Sequence, residues 1–182
     1  MHKRIVKQSR DYIEYPGGKH RFEHWYVDQQ ISFITARCRD KYPAFDLPQA
    51  REVFWNRFDR YSAQFGFEPG VTSLMNNHYH TIGYLHVGAN LQKFIQRLHG
   101  SVAKLVNDLL PERREQFFRD MKGREYFDGC IRDEKQCRAA YRYTLLQAVR
   151  GGFVSRWEAY PDTHVARDLE SFVTMSKNRN GF

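Results

Sequence analysis

Long apolar runs are missing from this chain; none approaches the roughly 20 residues that a membrane-spanning helix needs, so a helical membrane anchor is excluded. Cysteine is scarce. Cys38, Cys130 and Cys137 form neither a CxxC pair nor an even set, which argues against a disulfide framework and for ordinary packed thiols in a reducing compartment. The stretch Met1-His2-Lys3-Arg4-Ile5-Val6-Lys7 lacks the apolar core of a secretory signal, so a cytoplasmic, nucleoid-associated location is the expectation. An internal repeat is absent, as is the alternating Gly–aromatic pattern of an RNA-recognition domain.

What the chain does have is enough apolar matter for one core. Its 182 residues are 41% hydrophobic and 15% aromatic, which suits a single compact domain and excludes a disordered polymer. Positive charge is in surplus: 29 Lys and Arg against 21 Asp and Glu give a net +8, a balance that favours polyanionic partners. The expected organisation is a basic flexible arm over 1–20, a catalytic domain over 21–160 and a C-terminal tail over 161–182.

Periodicity then places the elements. Residues 25–36, WYVDQQISFITA, carry aromatic and β-branched residues on both parities, as a strand buried on two faces requires. Pro48 suits a first helical turn, and Ala50, Phe54, Phe58, Tyr61 and Phe65 follow at helical spacing up to Gly66. Two strands, 67–75 and 78–86, flank Asn76-Asn77 as a hairpin. Asn90 opens a helix whose buried stripe is Leu91, Phe94, Leu98, Val102, Leu105 and Leu109, with Lys93, Arg97 and Lys104 on its outer face. Residues 111–124 are charged enough to be a surface excursion, although Phe117-Phe118 needs cover. Residues 125–132 form a short fourth strand, and Asp133 with Gln136 caps a last helix running to Arg150 before Gly151-Gly152. The order β-α-β-β-α-β-α predicts an α+β, ferredoxin-like antiparallel sheet with helices packed on one face and an additional C-terminal helix.

His78-Tyr79-His80 is the pattern most charged with chemistry. Two histidines one residue apart on a strand share a face, with Cα atoms roughly 6.7 Å apart, close enough to hold one divalent ion. A hard cation such as Mg2+ or Mn2+ would fill its remaining positions with oxygen, for which a glutamine amide is suited. On the last helix Tyr143 and Gln147 lie about 40° apart and about 6 Å along the axis, on one face. Tyr141 is the competing nucleophile, but lies about 200° around from Tyr143, so spacing favours Tyr143. The plain alternative is that these tyrosines pack a core and the histidines are ordinary sheet residues. His86 lies about 20 Å along the strand from His80, too far for the same ion, and is read with His99 as structural or solvent-facing.

Such a constellation allows phosphodiester transesterification: a metal held by His78, His80 and Gln147 polarises a phosphate oxygen while Tyr143 attacks in line. The proton acceptor for Tyr143 is not evident from the residues. A two-histidine phosphoesterase would need a pair of separate His-x-Ser/Thr motifs, and Thr81 directly follows His80.

The segment LMNNHYHTIGYLH resembles the metal-binding strand of the HUH-type single-tyrosine transposases, above all the REP-associated tyrosine transposases and relatives from small bacterial insertion sequences. Residues 95–107, IQRLHGSVAKLVN, and 124–154, REYFDGCIRDEKQCRAAYRYTLLQAVRGGFV, are similar to the following helix and to the strand and catalytic helix. Over residues 25–160 the resemblance implies His78, His80 and Gln147 as ligands of Mg2+ or Mn2+, Tyr143 as nucleophile, and single-stranded DNA with hairpin ends as substrate, handled by a monomer or homodimer. Asn76-Asn77 replaces the usual Pro-Asn, and Gln147-Ala148-Val149-Arg150-Gly151-Gly152 stands where REP-associated members commonly have NPVRAG; the glutamine at that ligand position is similar to the insertion-sequence branch. DNA contacts are expected from Lys93, Arg97, Lys104 and the N-terminal arm. A domesticated, non-catalytic binder of single-stranded nucleic acid is the competing function.

Overall fold

The computed structural model describes residues 5–6, 26–179 and 181. Most of the expected basic arm lies outside them. β1 (Ile5–Val6) pairs antiparallel with β2 (Tyr26–Val27). β3 (Gln30–Arg37) follows after a two-residue turn, then α1 (Pro48–Phe65), β4 (Phe67–Leu74), β5 (His78–Leu85), α2 (Asn90–Asn107), β6 (Phe127–Cys130), α3 (Glu134–Leu145), α4 (Gln147–Arg150), β7 (Thr163–Val165) and α5 (Leu169–Asn178). Strands β6-β3-β5-β4-β7 form one antiparallel sheet. Four of them, β6-β3-β5-β4, have the ferredoxin-like order, with the two consecutive strands β4 and β5 joined as a hairpin and β3 inserted between β5 and β6. Among the described residues no helix is long and apolar enough to cross a membrane.

α1 starts on Pro48, whose missing N–H costs nothing in the first turn, and stops at Gly66, which takes the left-handed φ of 69° that a side chain would disfavour. Ala50, Phe54 and Phe58 are buried along it. α2 buries Leu91, Phe94, Ile95, Leu98, His99, Val102 and Val106. These two helices cover one sheet face, meeting Ile34, Ala36, Phe67, Leu74, Tyr79 and Leu85. At Gly83 an added Cβ would lie 2.3 Å from Phe67 Cζ, so only glycine lets that ring lie flat on the strand.

Four expectations need correction. Leu109 is exposed, because α2 ends at Asn107, whose side chain turns to bond Arg114 N and O. Helices pack on both faces: α3 and α5 bury Cys137, Tyr141, Phe172 and Val173 against Ile31, Val71, Ile82 and Tyr84. Residues 161–182 are more than a tail, since β7 adds an edge to β4 and Phe172 of α5 is wholly buried. The single long last helix is also interrupted at Leu146 (φ −94°, ψ 12°), which separates α3 from α4. The excursion over 111–124 inserts Phe117 and Phe118 into the core; Phe118 stacks on His99 at 4.1 Å and bridges to Cys38.

Candidate active site

On β5, strand alternation points Tyr79 into the α1/α2 core and sends His78 and His80 to the opposite face, where Ile82 and Tyr84 pack under α3 and α5. β3 lies beside it in a register that sets Thr35 opposite His80 and Arg37 opposite His78. Residues directly opposite share a face, so Phe33, Thr35 and Arg37 line one side of the histidine pair. α3 crosses this face, capped by Asp133, which accepts from Gln136 N at 2.7 Å. Tyr143 thereby arrives over His80: the two rings meet edge to face with centroids 5.2 Å apart. Phe33 backs both rings at 5.9 Å, stacked on His80 and perpendicular to Tyr143.

Despite the break at Leu146, Gln147 stays with Tyr143, donating from Nε2 to the Tyr143 carbonyl at 3.1 Å. Its side chain also acts on the His78 imidazole, favouring its protonated form. His78, His80, Tyr143 and Gln147 thus converge from a strand and a helix of the same chain. His80 and Gln147 are buried, at 4% and 9% exposure, whereas Tyr143 is 39% exposed and open to an incoming molecule. Tyr141 is different in kind: it is 2% exposed, donates to the Arg167 carbonyl at 2.7 Å, and burial pushes its phenol up to about 12. It packs the core.

The electrostatics keep both imidazoles neutral. Burial first, and then the charge of Arg37, lower His78 to about 4; burial, His78 and Arg37 lower His80 to about 3. His78 Nδ1 lies 2.6 Å from Asn77 Oδ1, an acceptor, so Nδ1 carries the proton and the lone pair sits on Nε2. His80 Nδ1 is held 2.7 Å from Thr35 Oγ1, which orients its Nε2 in the same way when the hydroxyl accepts. The ring centroids are 5.0 Å apart. Two imidazoles binding one ion at about 2.1 Å through adjacent positions would have centroids roughly 4.5–5.5 Å apart. The donor set therefore fits a divalent ion. It holds no carboxylate; among the described residues no group of three or more His, Cys, Asp or Glu is disposed to bind a metal.

Eighty per cent of this chain superposes on 82% of a REP-associated tyrosine transposase solved in complex with a REP hairpin, with a TM-score of 0.66 and 15% sequence identity. The two share a fold. A candidate transposase from Deinococcus radiodurans R1 aligns over 75% of this chain and 95% of its own, at 11% identity and a TM-score of 0.40. No family model and no curated protein sequence matches the chain.

Other expected residues fall elsewhere. Lys93, Arg97 and Lys104 are exposed on the outer side of α2, across the sheet from the histidine pair, and are not brought together with it. His86 is exposed at the end of β5. His99 is buried, bonded through Nε2 to Tyr79 Oη and through Nδ1 to Glu125, both at 2.9 Å, and belongs to the core. The sequence reading overlooked Phe33, Thr35 and Arg37, and Arg150, whose guanidinium lies 4.9 Å from the Tyr143 ring centroid. Alternation in the central strand puts the first three on one face, but only the β3–β5 register reveals which face it is.

Proposed function

We propose that this protein is a metal-dependent transposase that cleaves and rejoins single-stranded DNA at hairpin-bearing ends, with Tyr143 as nucleophile. The observation that carries the reading is the 5.2 Å approach of Tyr143 to His80, in which an exposed phenol meets a buried imidazole that has a second, half-buried imidazole beside it. The shared fold with a protein that was solved on hairpin DNA supports the same substrate class. His78, His80 and Gln147 would hold Mg2+ or Mn2+. When bound, the ion supplies charge to a non-bridging phosphate oxygen.

The chain's own residues do the rest. Thr35 and Asn77 keep each imidazole in one orientation through Nδ1. Phe33 fixes the spacing of His80 and Tyr143, and the Gln147 amide ties α4 to the nucleophile's own carbonyl. The Tyr143 phenol, a weak nucleophile at neutral pH, loses its proton as its oxygen bonds to phosphorus. One ester oxygen of the DNA leaves and takes up a proton. The phosphotyrosine link keeps the energy of the broken ester, so a DNA hydroxyl reverses the step and joins strands without ATP.

The test is a denaturing gel of the full chain with labelled single-stranded DNA carrying its flanking hairpins. A protease-sensitive adduct that needs Mn2+ and disappears with chelator is expected. Tight DNA binding with no adduct under any divalent ion would favour the non-catalytic binder instead.

A further inference from the structure

Among the partly buried arginines that no carboxylate pairs within the described residues, which include Arg57, Arg114 and Arg119, Arg37 is the one that lies beside the histidine pair. Arg51, Arg124 and Arg138 each meet a carboxylate, at 3.3, 2.6 and 2.5 Å. Arg37 is half-buried too, yet no carboxylate pairs with it among the described residues. It lies directly opposite His78 in the sheet, on the face that carries Thr35, His80 and Tyr143. A divalent ion held by two imidazoles and an amide would add two positive charges beside a guanidinium that no carboxylate pairs among the described residues. Such a site lacks an anion, and partly desolvated unpaired charge is costly. A guanidinium offers a planar fork of donors that matches two phosphate oxygens.

We propose that Arg37 is a phosphate-contacting residue of this site, and that a DNA phosphate and the divalent ion bind there interdependently, each making the other's binding tighter. The inference rests on the proposed reading of the histidine pair as an ion site. Free of DNA, Arg37 repels the cation; with a phosphodiester bridging the two, both positive groups gain a partner. The reciprocity is thermodynamic: whatever factor DNA adds to ion affinity, the ion adds to DNA affinity.

Mn2+ titrated into the full chain carrying Tyr143→Phe, with free Mn2+ followed by electron paramagnetic resonance, tests this without any turnover. A saturating hairpin oligonucleotide with a single-stranded flank should tighten Mn2+ binding roughly 5- to 150-fold. Adding Arg37→Gln should leave Mn2+ binding without DNA unchanged or tighter. The same change should weaken oligonucleotide binding about tenfold or more and shrink the mutual effect. Arg37→Lys, which keeps the charge and spares the fold, should retain part of that effect. Equal Mn2+ affinity with and without the oligonucleotide overturns the inference alone, as does an Arg37→Gln protein with undiminished coupling. Weaker Mn2+ binding by DNA-free Arg37→Gln would mark a structural role and also overturn it. No Mn2+ binding in either state overturns the ion site, and this inference with it.

Discussion

Tyr141 and Tyr143, two residues apart on α3, should separate completely when each loses only its hydroxyl. In Tyr141→Phe the lost group is a buried donor 2.7 Å from the Arg167 carbonyl, in a cluster with Phe172 and Val71. Losing that bond and leaving the carbonyl partly unsatisfied costs about 1–3 kcal/mol. For a domain of this size each kcal/mol moves Tm by roughly 2–4 °C, so a drop of about 2–12 °C is expected. Tyr143→Phe removes a hydroxyl from a side chain that is 39% exposed, and stability should stay within about 0.5 kcal/mol. The functional effects run the other way. Tyr141→Phe should still form the covalent DNA adduct at a temperature where it is folded, and Tyr143→Phe should form none. Thermal unfolding by circular dichroism and an adduct gel on the same preparations read both. A Tyr143→Phe protein that still forms adduct, or a Tyr141→Phe protein with unchanged Tm and no adduct, would refute the reasoning.

The histidine pair makes stability depend on pH. Because folded His80 titrates near 3 and an unfolded histidine near 6.5, the unfolded chain binds more protons between those values, and stability falls as pH falls through that window. Between about pH 6 and about pH 4.5 His80 alone accounts for about 2 kcal/mol, so denaturant midpoints of His80→Gln should fall less steeply with acid than those of the native chain. Thr35→Val removes the hydroxyl 2.7 Å from His80 Nδ1 and should weaken Mn2+ binding about 10- to 100-fold by titration; unchanged affinity would mean that strand register alone sets the ring. Replacing Lys93, Arg97 and Lys104 together by alanine should leave the adduct rate at saturating DNA unaltered, because they lie across the sheet from Tyr143. Any loss should appear in DNA affinity, with the salt slope reduced by at most about 3.

Local pattern carried most of the architecture. The spacing of Ala50, Phe54 and Phe58 after Pro48 marks α1, and His78-Tyr79-His80 marks a strand with its two histidines on one side. The placing of Tyr143 beside Gln147 was legible for the same reason, since residues four apart share a helix face even though the helix breaks between them. What pattern did not reveal depends on tertiary contact. Nothing at Leu146, neither Gly nor Pro, announces the break, which comes where Gln147 turns toward His78 and the Tyr143 carbonyl. β7 has only three residues, two of them exposed, too few for an alternation to register. The second helical layer followed from missing α5, whose Asp168 cap on Ser171 was the available sign. Thr35 and Arg37 enter the site through the pairing of strands some 45 residues apart in sequence, which no local period encodes.

The central claim, that Tyr143 is the attacking residue, can be read from one peptide. Trypsin cuts after Arg138, Arg142 and Arg150, so it places Tyr141 and Tyr143 on different fragments. Mass spectrometry of a nuclease-trimmed, trypsin-digested adduct should find the nucleotide mass on residues 143–150. Nucleotide mass on residues 139–142, or on a peptide from elsewhere in the chain, would contradict the account.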